Sequence, residues 1–156
     1  MQTTIAPLER HKALTCERLM RQIPESFKNE VTINHYARHF EKMHILAAHT
    51  HQRIVGFMGL QQHAPITTEV ALIAILKPYQ QQGIGLSLID AAEKYSRNIR
   101  HQYLVVKTPY DENNTPASQR ITERFYSKVG FAKLIDLPEI WAGQSGQLML
   151  KKIMCQ

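Results

Sequence analysis

Apolar and polar positions alternate in short blocks along the chain, and the blocks follow two different periods. Gln2 to Pro7 predicts a short first strand. Leu8 to Ile23 places Leu8, Leu14, Leu19 and Ile23 at helical spacing and is stopped by Pro24. A second helix is predicted over Thr32 to Met43. Three strand-like runs follow: His44 to His49, Ile54 to Gln61 after a polar turn at Thr50-His51-Gln52-Arg53, and Thr68 to Leu76. Gly83 to Ile99 predicts a long helix, with Leu86, Ile89, Ala92 and Glu93 at helical spacing beside Leu88 and Tyr95. His101 to Lys107 reads as a strand. Pro116 to Val129 reads as a helix, with Thr115 as its cap, Pro116 in its first turn and a core stripe of Ile121, Phe125 and Val129. Phe131 to Leu137 and Gln147 to Ile153 close the chain as strands. The order β-α-α-β-β-β-α-β-α-β-β predicts an α/β fold, a mixed sheet with helices on its faces.

Length narrows this picture: 156 residues make one domain with a real core. No apolar run approaches the ~20 residues of a spanning helix; the longest, Val70 to Leu76, is strand-length. The N-terminus lacks the basic and then apolar segments of a secretion signal. Cys16 and Cys155 stand near opposite ends and form no motif, so a reduced, cytoplasmic protein is expected. Charge adds less. Nineteen Lys and Arg against thirteen Asp and Glu leave +6, which suits an anionic partner such as a phosphate-rich cofactor. No basic run exceeds the two residues Lys151-Lys152, and no nucleic-acid signature appears, so nucleic acid is not the expected partner.

Candidate chemistry begins where the strand ending at Leu76 runs through Lys77-Pro78-Tyr79-Gln80-Gln81-Gln82-Gly83-Ile84-Gly85 into the long helix. A strand-to-helix turn of this kind presents unpaired backbone N–H groups and the positive end of the helix dipole. Glycine there lets a phosphate approach closely. The turn is neither a Walker loop, since Leu86 follows Gly85, nor a dinucleotide fingerprint, since residue 88 is Leu. A second element, Phe125-Tyr126-Ser127-Lys128-Val129-Gly130-Phe131, ends one helix and opens a strand.

Together, Gln80-x-x-Gly83-x-Gly85 and the Tyr126 helix ahead of Gly130-Phe131 resemble the GNAT superfamily of acyl-CoA-dependent N-acyltransferases. The resemblance runs from about Ile54 to Ile153. Trp141 followed by Leu148-Met149-Leu150-Lys151-Lys152-Ile153 is similar to a branch acting on small molecules. The family pattern departs at Gln119, where an asparagine is usual, at Thr122, where an alanine is usual, and at Gln80, where arginine is common. The segment from Thr108 to Ser118 is also longer and more polar than in many relatives.

The resemblance implies a GNAT fold, with a mostly antiparallel twisted sheet of about seven strands and four helices. It implies transfer of an acetyl group from acetyl-CoA to a small-molecule amine by direct attack in a ternary complex. Ile73, Ala74 and Ile75 would pair their backbone with the pantetheine arm. The N–H groups of Gln81, Gln82, Gly83, Ile84, Gly85 and Leu86 would hold the pyrophosphate, helped by the side chains of Gln80 and Ser87. Glu69 stands 14 residues before Gly83, at the family spacing of a general base, and an ammonium must lose a proton before it can attack a thioester. Tyr126 would be the acid that meets the departing thiolate. Tyr36, His39 and Phe40 would line the acceptor pocket, and Asp111 and Glu112 would attract a cationic amine. No metal is expected: His35 and His39 are an i, i+4 pair, but residue 36 is Tyr, not the glutamate of the zinc helix motif. A homodimer stays open. The alternatives are a protein or peptide N-acetyltransferase, and a CoA-sensing or nucleic-acid-binding module on the same fold.

Overall fold

The parallel pairing at the middle of the sheet sets the topology. In the computed structural model, which describes residues 2–51, 53–110, 117–141 and 143–155, seven strands and four helices follow the predicted order. They are β1 (Thr4–Pro7), α1 (Lys12–Arg21), α2 (Glu30–Ala37), β2 (His44–Thr50), β3 (Arg53–Ala64), β4 (Thr67–Ile75), α3 (Ile84–Asn98), β5 (Tyr103–Pro109), α4 (Ala117–Lys128), β6 (Ala132–Trp141) and β7 (Gln144–Lys152). The strands form one sheet in the order β1-β2-β3-β4-β5-β7-β6. The pairs β1–β2, β2–β3, β5–β7 and β6–β7 are antiparallel, whereas β4–β5 is parallel. A parallel pair cannot be closed by a hairpin, and α3 is the crossover that joins it. The rungs of this pair run from Thr67↔Tyr103 to Val70↔Val106, and β4 continues beyond them to Ile75.

The chain divides into two compact units, Met1–Gln61 with Ala71–Lys94, and Gln62–Val70 with Tyr95–Gln156. The first has a core of Cys16, Leu19, Met20, Ile23, Ile33, Phe40, Met43, Ile45, Phe57, Leu72, Ala74 and Leu76. Phe40 meets Phe57 edge-on at 5.6 Å between ring centres. Gly56 lets β3 approach the end of β4, since a Cβ there would stand 2.9 Å from the Ala74 carbonyl oxygen. α1 and α2 are tied by Arg21, which bonds Glu17 and Glu30. In the second unit, Leu104, Val106, Tyr126, Phe131, Met149 and Ile153 are buried. A buried polar chain pins β4 there: Ser96 Oγ donates to Thr68 Oγ1 at 3.0 Å, and Thr68 Oγ1 meets His101 Nδ1 at 2.7 Å.

Several expectations are corrected. The second helix runs only over Glu30–Ala37, capped by Asn29 Oδ1 on the Thr32 N–H, with a separate 3-10 turn at Phe40–Lys42. The α4 stripe is rotated from the expected one: Ile121 is 62% exposed, and Tyr126 takes the buried position. β6 runs on through Pro138 to Trp141 rather than stopping at Leu137. β6 is an edge strand, with a register shift between Leu137 and Trp141, and both circumstances tolerate a residue with no N–H to donate. Thr115 and Pro116, expected to start α4, lie outside the described residues.

Candidate active site

Strand β4 carries Glu69 near its start and Ile73, Ala74 and Ile75 at its end. At its start, Thr68 is anchored by Ser96 and His101, and this fixes the residue that follows it. That residue, Glu69, is 7% exposed, on a strand whose next residue, Val70, is fully in the core. A carboxylate so buried needs partners, and both of its oxygens have one. Oε2 meets Nε2 of His63, near the end of β3, six residues back across the turn at Pro65-Ile66. Oε1 lies 3.8 Å from Nζ of Lys107. Glu69 is level with Val105 on β5, and Lys107, two residues further along, faces the same side. The His63 side chain is 47% exposed and that of Lys107 45%. The arrangement is a buried carboxylate joined to solvent through an imidazole and an ammonium group.

Further along β4 the site residues contribute backbone. Ala74 is buried and Ile73 and Ile75 are half-buried. The chain leaves β4 through a 3-10 turn at Lys77–Tyr79 and enters α3 at Ile84. Gly83 has φ +83°, a left-handed conformation that side chains rarely adopt, and an added Cβ would meet nothing within 4 Å. Gln81 is left-handed as well, at φ 59°. The first intrahelical bond that reaches back to Gly83 comes from Ser87 N–H at 3.0 Å, so the N–H groups of Ile84, Gly85 and Leu86 precede the helix ladder. Gln80 Nε2 donates to the Ile75 carbonyl at 2.9 Å, Gln82 Nε2 to that of Pro78 at 2.9 Å, and Ser87 Oγ to that of Gly83 at 3.1 Å. These three side chains brace the turn itself, and the open N–H groups and the space above Gly83 are what it offers a phosphate.

Tyr126 is 2% exposed and packs edge-on with Phe125 at 5.1 Å and Phe131 at 5.3 Å. It belongs to the same compact unit as Glu69, His63 and Lys107. The expected acceptor residues separate. Phe40 is fully buried in the core of the first unit and has no surface to give a pocket, contrary to expectation. Tyr36 and His39 are half-buried; Tyr36 lies 6.4 Å from Phe27, whose neighbours Lys28, Asn29 and Glu30 wall an open cavity of about 420 Å³ with Arg21 and Ile33. His39 Nδ1 is 2.7 Å from the His35 carbonyl oxygen, and burial, with His39 and Arg38 nearby, holds the His35 imidazole below its ordinary pKa. Asp111 and Glu112 lie outside the described residues. Among the described residues no group of three or more His, Cys, Asp or Glu is placed to hold a metal ion, and no helix is long and apolar enough to cross a membrane.

Residues 41–133 match the family model of the acetyltransferase (GNAT) domain, a span that holds Glu69, the Gly83 turn and Tyr126. The chain belongs to the GNAT acetyltransferase family. It is an acyltransferase by that membership, and its fold is the GNAT fold. A GNAT family acetyltransferase from Elizabethkingia anophelis, solved with acetyl-CoA bound, superposes with TM-score 0.71 at 21% identity, covering 96% of this chain and 97% of its own. The aminoglycoside 6'-N-acetyltransferase from Enterococcus faecium superposes with TM-score 0.74 at 15% identity over 98% of both chains. The ribosomal-protein-S18-alanine N-acetyltransferase from Escherichia coli gives 0.71 at 15%, covering 99% of this chain and 96% of its own. A comparison with curated proteins found no match.

Within this GNAT domain, reading the sequence alone missed His63 and Lys107. His63 left a signal, since a hairpin around Pro65 brings the end of β3 back beside the start of β4. Lys107 left none, because its place depends on the register of β5 against β4.

Proposed function

We propose that this protein transfers the acetyl group of acetyl-CoA to the amine of a small molecule, by direct attack in a ternary complex. The observation that carries this reading is Glu69: a buried carboxylate on β4, four residues before Ile73, in a domain of the GNAT acetyltransferase family. Glu69 and the backbone assigned to the thioester arm both belong to β4.

Acetyl-CoA is the acyl donor. Ile73, Ala74 and Ile75 bind its pantetheine arm through backbone groups, and the Ile73 N–H polarises the thioester carbonyl. A donor fixed in advance toward a developing oxyanion is among the larger catalytic effects available. The N–H groups from Gln81 to Leu86 receive the pyrophosphate, and the empty space around the Gly83 Cα supports this assignment. The acceptor enters as an ammonium. Glu69 draws off one proton, directly or through a group it touches, and the free amine attacks the thioester carbon. The tetrahedral intermediate collapses with loss of the C–S bond, and the thiolate takes a proton at the Tyr126 hydroxyl, which regains one from the amide nitrogen. The balance is one amide, one CoA thiol and one proton released to solvent.

A small acceptor is preferred because the late Trp141 ahead of the Leu148-Met149-Leu150-Lys151 strand is similar to small-molecule members, and the aminoglycoside enzyme shares the fold. Cofactor binding is tested by thermal melting with acetyl-CoA. At a hundred times Kd the folded state should gain about 2.7 kcal/mol, seen as a rise in Tm. No rise at millimolar acetyl-CoA would remove the donor from this account.

A further inference from the structure

We propose that His63 is the group that meets the acceptor amine: its Nδ1 takes the ammonium proton while Glu69 holds Nε2. The proposal rests on the acetyl-transfer reading and specifies the route of the first proton within it.

Access decides between the carboxylate and the imidazole. The Glu69 side chain is 9% exposed, its Oε2 is covered by His63 Nε2, and its Oε1 is faced by Lys107 Nζ at 3.8 Å. An amine approaching from solvent therefore finds the carboxylate already attended on both oxygens. The His63 side chain is 47% exposed, and its Nδ1 has no hydrogen-bond partner among the described residues. An ionised carboxylate only accepts hydrogen bonds. With Glu69 ionised, Nε2 carries the ring hydrogen and Nδ1 presents a lone pair, so the contact selects the tautomer able to take a proton on the open side.

The ammonium N–H bond breaks, its electron pair stays on nitrogen as the nucleophile, and the proton forms a new N–H bond at Nδ1. The imidazolium is then held against Glu69 through Nε2–H, with the Lys107 ammonium as the other charge facing Glu69. After acyl transfer the imidazolium returns its proton to solvent. His63 is on this account a catalytic residue and Glu69, in this step, the residue that positions it.

The test is the initial rate of CoA release from acetyl-CoA with spermidine, tyramine, kanamycin and a peptide bearing a free N-terminal amine. Wild type, His63→Ala, His63→Gln and Glu69→Gln are compared, each checked for folding and for its Tm rise with acetyl-CoA. His63→Ala and His63→Gln should each lose about 10²–10⁴ in rate, and added imidazole should restore His63→Ala while leaving wild type unchanged. Near wild-type rates in His63→Gln, which can still donate to Glu69, would overturn the proposal and leave Glu69 as the direct base. A loss in folded, acetyl-CoA-binding His63→Ala that imidazole does not repair would make His63 a spacer and equally overturn it. Failure of the wild type to release CoA with any of these amines would instead overturn the acetyl-transfer reading itself, and this proposal with it.

Discussion

The glycine turn and the Glu69 cluster solve opposite problems with opposite materials. At the turn, the groups offered to a ligand are backbone N–H groups, and the polar side chains of Gln80, Gln82 and Ser87 are spent on neighbouring carbonyls to hold the loop. At Glu69, the backbone is in the sheet and the polar groups brought together are side chains from three strands, His63 on β3, Glu69 on β4 and Lys107 on β5. A backbone site tolerates side-chain change provided the φ angles survive. A side-chain site tolerates no loss of chemistry even when the shape survives. The two regions should therefore fail in different ways when altered.

The sharpest separation comes from Glu69→Gln, which keeps shape and removes the charge. Turnover should fall by about 10²–10⁴, while the Tm rise with acetyl-CoA stays at its wild-type size. Loss of acetyl-CoA binding in this variant would erase the distinction between the regions. Gly83→Val is the mirror experiment. Its β-branched side chain enters the open space assigned to phosphate in the proposed reading, so the acetyl-CoA stabilisation of about 2.7 kcal/mol should vanish. The left-handed φ of +83° adds a folding cost of about 1–2 kcal/mol, visible in the Tm without ligand. Unchanged acetyl-CoA affinity in folded Gly83→Val would refute the phosphate cradle.

Tyr126→Phe should fall between these. The ring packing against Phe125 and Phe131 is kept, and only the hydroxyl is lost. The expected result is a kcat lower by about 10²-fold, the low end for acid catalysis, with little change in KM for the amine. An unchanged kcat would reduce Tyr126 to a packing residue.

One further effect lies away from both regions. Burial, and then the nearby Glu41 charge, push the Cys16 thiol up to about 12. An unfolded thiol ionises near 9.0 while the folded one stays neutral, so this contribution to stability is complete below pH 9 and is lost as pH rises toward 12. Urea unfolding across that window should show stability falling in wild type and falling less steeply in Cys16→Ala. In the native protein at neutral pH, a thiol reagent should modify exposed Cys155 and spare Cys16.

The comparison also explains what could be read in advance. Elements whose cause is local were legible: Pro24 after α1, the Gly83 turn ahead of α3, and the apolar run Val70 to Leu76 of β4 all act within a few residues. The order of seven strands and four helices follows from them. Errors came where a distant partner decides. Ile121 has the right spacing for a core stripe, yet α4 turns Tyr126 inward instead. Phe40 sits on a predicted pocket helix, yet the chain breaks into a 3-10 turn there and packs Phe40 on Phe57. The predicted strand ends at Leu137, and the edge position of β6 lets it continue through Pro138. Glu69 was visible through its distance from Gly83, whereas its two partners emerge only once β3, β4 and β5 are set side by side.

The central claim is that an amine takes the acetyl group from acetyl-CoA on this protein. It is tested most directly by following CoA thiol release with purified protein and acetyl-CoA, with and without the panel of amines used to test His63. The account predicts release that depends on an amine, saturates with both substrates in a ternary pattern, and yields one acetylated amine per thiol. Release that proceeds equally without any amine, or an acetylated enzyme accumulating before amine is added, would contradict it.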